Sequence, residues 1–109
     1  MVTVYKVLGQ QNPSANTATT LYTVPAGTSS IASTLNVCNL TNAAATFRVA
    51  VRPAGATLAN VHYLTYDTNL PANDSIGMTL GITLATTDVV TIQANTASVT
   101  FSLFGTEIS

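Results

Sequence analysis

The sequence holds one thiol and one imidazole, Cys38 and His62. A thiol beside an imidazole could act as nucleophile and general base. Neither residue has a neighbouring acid to orient the imidazole, the third element such a constellation needs. In the strand-like run Leu35-Asn36-Val37-Cys38-Asn39, Cys38 reads as a small packing residue. His62 reads as a strand surface residue beside Tyr63. A single cysteine also excludes an internal disulfide and the usual zinc-ligand spacings.

The carboxylates are Asp67, Asp74, Asp88 and Glu107, scattered along the chain. Calcium would ask for roughly six to eight oxygens from one dense loop. Asp67 and Asp74 flank a turn, while Asp74 in Asn73-Asp74-Ser75 and Asp88 in Thr86-Thr87-Asp88 have the placement of turn-stabilising acceptors. Gly77 and Gly81 lack the Gly-Lys-Ser/Thr of a phosphate cradle and are expected at flat or bulged points approached by another backbone. Asn39-Leu40-Thr41 and Asn73-Asp74-Ser75 match the glycosylation acceptor pattern, which is short enough to arise by chance. No catalytic, cofactor-binding or metal-ligating residue is assigned, and the chain is expected not to be an enzyme.

The aromatic residues offer one binding alternative. His62, Tyr63 and Tyr66 fall on one predicted strand, with His62 and Tyr66 on one side and Tyr63 on the other. Exposed there, the tyrosines could stack on a carbohydrate; turned inward, they fill core or interface.

The elements that must position these residues are strands. Ile76, Met78, Leu80, Ile82 and Leu84 alternate with small or polar residues, a period of two. Phe47, Val49 and Val51 alternate with Arg48, Ala50 and Arg52, which points both arginines off the core face. Val99, Phe101 and Leu103 repeat the pattern, as do Ile31, Ser33, Leu35 and Val37. Weaker strands are predicted at Val2–Leu8, Thr19–Val24, Val61–Asp67 and Asp88–Ala94, giving about eight in all. Between them, Pro25-Ala26-Gly27, Pro53-Ala54-Gly55 and Pro71-Ala72-Asn73 combine a fixed φ with a residue that tolerates positive φ. No window reads as a helix. The pattern predicts an all-β fold, a single antiparallel β-sandwich or jelly-roll-like domain. Residues 18–109 would form it, preceded by an N-terminal strand or arm and loop at 1–17. The predicted core is Ile31, Leu35, Val37, Phe47, Val49, Val51, Ile76, Met78, Leu80, Ile82, Val90, Ile92, Val99, Phe101 and Leu103.

Composition removes several partners. Charged residues make up 6% of the chain and the net charge is −1. That leaves no basic stripe for nucleic acid and no polybasic anchor for a membrane. No apolar run approaches the roughly 20 residues of a spanning helix, and the first residues lack the order of a signal peptide. Twenty threonines lead a Thr/Ser/Asn fraction of about a third. Threonine suits strands, and a surface of neutral hydroxyls and amides suits burial against other subunits.

Four stretches carry a resemblance. They are Tyr22-Thr23-Val24-Pro25-Ala26-Gly27-Thr28-Ser29, Leu35-Asn36-Val37-Cys38-Asn39, Thr46-Phe47-Arg48-Val49-Ala50-Val51 and Phe101-Ser102-Leu103-Phe104-Gly105-Thr106-Glu107-Ile108. Together they are similar to small virion structural proteins of tailed bacteriophages, and most resemble head decoration, or cement, proteins. The resemblance implies a β-rich subunit on the capsid surface, a homo-oligomer with a trimer favoured, bound to the major capsid protein and bridging capsomers. It implies no catalytic residues. The candidate partner interface is Val2, Val4 and Lys6 of the arm, Arg48 and Arg52 of one strand face, and Tyr63 and Tyr66. The alternatives are a tail, baseplate or fibre-associated sandwich, a carbohydrate- or receptor-binding module using Tyr63 and Tyr66, and a hydrolase using Cys38 and His62.

Overall fold

Alternating apolar residues become eight strands in the computed structural model, which describes residues 2–109. In chain order they are β1 (Thr3–Gln11), β2 (Thr19–Thr23), β3 (Ser29–Asn39), β4 (Ala45–Arg52), β5 (Tyr63–Leu70), β6 (Ser75–Leu84), β7 (Val89–Ala94) and β8 (Val99–Ile108). One sheet has the order β1-β8-β3-β6 and the other β2-β7-β4-β5. Every pairing is antiparallel. The chain changes sheet at each step except β4 to β5, which makes two Greek keys and hence a jelly roll.

The inner faces meet over Phe47 and Phe101, whose rings pack edge to face with centroids 6.1 Å apart. Leu35, Val37, Val49, Val90, Ile92, Val99 and Leu103 fill in around them, all buried. Each such side chain contributes roughly 1.5–3 kcal/mol by leaving water. Ile76, Met78, Leu80 and Ile82 are only partly buried, because β6 is an edge strand that covers one flank of the core, and Val51 near the end of β4 is partly buried as well. The proline turns carry positive φ where expected, at Gly27 (71°), Gly55 (69°) and Asn73 (52°). Two one-turn 3-10 segments, Pro53–Gly55 and Asn60–His62, form the β4–β5 connection. His62 therefore lies in a turn, and β5 starts at Tyr63 rather than at Val61 as the alternation predicted.

A row of bulges crosses the first sheet. Leu8 is the extra residue of β1 between the pairs Val7–Phe104 and Gly9–Leu103. Ser33 is the extra residue of β3 opposite β8, and Leu80 with Gly81 stands opposite Ser33 from β6. An extra residue reverses which face later side chains point to. Ser30 and Ala32 thus point inward ahead of the bulge, while Leu35, Val37 and Asn39 do so after it. Ile31, predicted in the core, is 40% exposed on the outer face for this reason.

The glycines also differ from expectation. Gly81 occupies the bulge at φ 59°, but neither it nor Gly77 is approached by another backbone. The close approaches are at Gly9, against the Leu21 carbonyl, and at Gly105, against the Ile31 carbonyl and the Leu8 side chain.

Residues 3–17 supply β1 and the loop to β2, with β1 hydrogen-bonded along β8. At the opposite end, buried Asn39 ties the β3–β4 and β5–β6 connections together. Its Nδ2 donates to the carbonyls of Ala43 (2.9 Å), Leu70 (3.3 Å) and Pro71 (3.1 Å), and its Oδ1 accepts from the Thr41 N–H (3.0 Å). An amide so occupied has no nitrogen to offer a glycan, whatever the surrounding Asn-Leu-Thr pattern.

Candidate interaction surfaces

The residues with catalytic potential are not brought together. Cys38 is half-buried in β3 between Thr100 and Ser75. His62 stands in the turn before β5 of the other sheet, its Nδ1 accepting the Ala59 N–H at 3.0 Å. Among the described residues no three His, Cys, Asp or Glu side chains cluster. Two of the carboxylates hold backbone instead. Asp88 accepts from the N–H groups of Ala54 and Ala85, each at 2.8 Å, and Asp74 from that of Ser75 at 2.8 Å. Among the described residues no helix is long and apolar enough to cross a membrane.

One surface forms at the β5 edge. β5 carries an extra residue between the pairs Phe47–Thr68 and Val49–Thr65, and another between Val49–Thr65 and Ala50–Tyr63. Asp67, at φ 50°, sits in the first of these bulges. The broken register puts Tyr63 and Tyr66 on the same side, their rings edge to face with centroids 4.9 Å apart, where strict alternation predicted Tyr66 on the side of His62 and Tyr63 on the other. Arg48 reaches across from β4, with Nε 2.7 Å from Asp67 Oδ1 and Nη2 3.2 Å from Oδ2. Its guanidinium carbon lies 4.0 Å from the centre of the Tyr66 ring. The planar fork of arginine suits both contacts. The bond to Arg48 holds the Asp67 carboxyl below its ordinary value, and the same bond raises the guanidinium further. Tyr63 and Tyr66, with Asn60, line an open hollow. Arg52 is occupied elsewhere, donating to Thr91 Oγ1 (3.0 Å) and the Ala56 carbonyl (3.1 Å), which braces the β4–β5 connection.

The second surface surrounds β1. On its inner side Val4 is exposed and Lys6 Nζ lies 3.3 Å from Glu107 Oε1. Glu107 Oε2 accepts from the Tyr22 hydroxyl at 2.6 Å, and Tyr22 Oη is 2.7 Å from the buried Ser30 Oγ. Since the Tyr22 proton points to Glu107, Ser30 is the donor in the second bond. Burial, and then the bond to Glu107, push the Tyr22 hydroxyl up to about 12. That same hydrogen bond, joined by Lys6, holds the Glu107 carboxyl below its usual value.

The outer side of the same strands is apolar. Tyr5 pairs across Thr106 to Ile31, and Val7 pairs with Phe104. All four large side chains are exposed, Tyr5 by 83%. No charged residue shares this face of β1, β8 and β3 ahead of the bulges, where the neighbours are Thr3, Thr106, Ile108 and Ser29. Of the residues singled out from sequence, Val2, Val4 and Lys6 adjoin this edge, and Arg48, Tyr63 and Tyr66 form the other cluster. Arg52 joins neither. Tyr5, Val7, Ile31 and Phe104 were not anticipated as surface. Their signal was apolar residues at both odd and even positions of β1, since one buried face cannot accommodate both.

No protein-family model matches the chain, and a search of curated proteins finds no match.

Proposed function

We propose that this chain is a non-enzymatic structural protein of a tailed-bacteriophage virion, which decorates the head exterior and binds the major capsid protein so as to bridge capsomers. The observation that supports this reading is the apolar patch of Tyr5, Val7, Ile31 and Phe104 on a face without charge. A lattice-wide clamp needs many modest contacts and performs no reaction. A patch ringed by hydroxyls in place of charges avoids the cost of desolvating ions, and repetition over a lattice turns weak contacts into firm attachment. The test is quantitative mass spectrometry of purified particles of the phage that encodes the chain. Abundance comparable to the major capsid protein is expected. A few copies per particle would overturn the head assignment and favour a tail, baseplate or fibre position.

A second reading has its own supporting observation, the tyrosine pair beside the open hollow at Asn60. Aromatic rings around a hollow suit the apolar faces of a sugar, and the chain would then be a carbohydrate- or receptor-binding module. Binding on a glycan array that is lost in Tyr63→Ala would support it; an array without hits would remove it.

A further inference from the structure

We propose that two copies of this chain pair antiparallel along β1 about a two-fold axis at Tyr5, joining their β1-β8-β3-β6 sheets into one continuous sheet. This goes beyond the virion reading and does not depend on it.

The argument begins with hydrogen-bond phase. Val2 and Ser109 exchange both backbone bonds, N to O at 2.6 Å and 2.9 Å. Such pairs alternate along an antiparallel ladder with pairs that exchange none. In the unbroken register from Thr3–Ile108 to Val7–Phe104, Val4 and Lys6 therefore turn their peptide groups toward β8. Thr3, Tyr5 and Val7 turn theirs to the open side of the sheet. Five consecutive residues thus form a straight template with every second N–H and C=O unpaired.

The other three edges are less suited to accept a strand. β2 has five residues with a register shift between Thr20 and Tyr22. β5 is bulged twice, with Asp67 at positive φ. β6 is broken at Leu80 and Gly81, and its apolar side chains already face the core. Bulges and short strands are the devices by which edges are blunted. Along Thr3–Val7 β1 has neither, and Val4, Tyr5 and Val7 leave apolar side chains exposed on both its faces.

The occupant follows from charge and symmetry. A two-fold at Tyr5 sets Tyr5 against Tyr5 of the second copy and Thr3 against its Val7, all in the phase that exchanges both bonds. Lys6 then faces Val4, and its charge is already answered by Glu107. Moving the axis to Lys6 would set two ammonium groups directly opposite, which is destabilising. The Tyr5 axis also places both Tyr5 rings in one stripe with both copies of Val7 and Phe104. A contact of this length covers less than about 1,200 Å², the range of weak association, so the dimer forms at high protein concentration. Antiparallel pairing closes at two, whereas a trimer would have to use another face.

Sedimentation equilibrium of the full chain, up to about 1 mM, tests this against two variants. Tyr5→Pro removes an N–H that faces the open edge, so the β1–β8 ladder keeps all its bonds. Tyr5→Lys sets like charges opposite one another and suits an exposed strand, so it carries the test should the proline variant fail to fold. The expected result is a monomer–dimer equilibrium for the native chain, weakened about tenfold or more in each folded variant with unchanged melting temperature. A native chain that stays monomeric throughout, or forms trimers, overturns the proposal. So does a dimer that survives Tyr5→Lys undiminished.

Discussion

The β5 and β1 edges both present tyrosines to solvent, yet the chain treats them differently. At β5 the aromatic side chains are engaged within the molecule: Tyr63 packs on Tyr66, and Arg48 covers Tyr66 while gripping Asp67. Two bulges break the strand behind them. At β1 the backbone runs straight for five residues, and the exposed Tyr5 and Val7 have only their cross-strand neighbours Thr106 and Phe104. An exposed ring alone therefore does not mark a docking surface. What distinguishes β1 is an unbroken ladder edge under side chains that the same chain leaves uncovered.

Four substitutions bear on this contrast. The largest effect is expected where β1 rests on the body of the fold. A methyl group on Gly105 would meet the Ile31 carbonyl and the Leu8 side chain, so Gly105→Ala should cost about 2–3 kcal/mol by overpacking. Gly77→Ala, where nothing lies near, should shift stability by no more than about 0.5–1 kcal/mol. Urea denaturation of both compares a supported glycine with an open one. Equal losses would mean that the bulge row does not hold the β1 edge in place.

An intermediate effect is expected from Tyr22→Phe, which removes the hydroxyl between Ser30 and Glu107 and should cost about 1 kcal/mol. Its pH signature is more specific. The folded chain holds Glu107 below the reference value of 4.5, so that stabilisation is present above 4.5 and is lost as pH falls through the folded value. The Tyr22 hydroxyl is raised from 10.0 to about 12, so its stabilisation is present below 10 and is lost as pH rises through about 12. Melting temperatures across pH should show the Glu107 part of the acid flank shrinking in Tyr22→Phe and the Tyr22 part of the alkaline flank disappearing. Unchanged flanks would deny the network a role under β1.

The smallest effect belongs to the β5 edge. Arg48→Ala removes a surface ion pair and a cation–π contact, together about 1 kcal/mol or less. Part of that should vanish at high salt. A loss well beyond this would show the β5 cluster bracing the fold and would narrow its difference from β1.

The architecture was legible because period-two alternation survives in β4, β6 and β8, and because the proline turns announce themselves. The failures cluster at bulges. Nothing in Ala32-Ser33-Thr34 advertises an extra residue, so Ile31 was assigned to the wrong face. The extra residue Leu64 and Asp67 at positive φ likewise have no sequence mark, and the bulge at Leu64 decides that Tyr63 and Tyr66 meet. The approach of Leu21 to Gly9 is set by packing between sheets, which local pattern does not encode. Arg48 and the two tyrosines were picked from sequence, but Arg48 is held from the neighbouring strand β5 and the tyrosines meet only because that strand is bulged.

The bond between Val2 and Ser109 has a consequence in time. Among the strands β1 is synthesised first, but the strand it pairs with, β8, is synthesised last, so that pairing closes a loop of nearly the whole chain. Such non-local contacts fold slowly, in milliseconds to seconds. At about 5–20 residues per second of synthesis, β1 waits roughly 5–20 s for its neighbour to emerge. During that interval Val4, Tyr5 and Val7 are a free apolar strand beside those of other nascent chains, and crowded translation is where this protein is most exposed to pairing with the wrong partner.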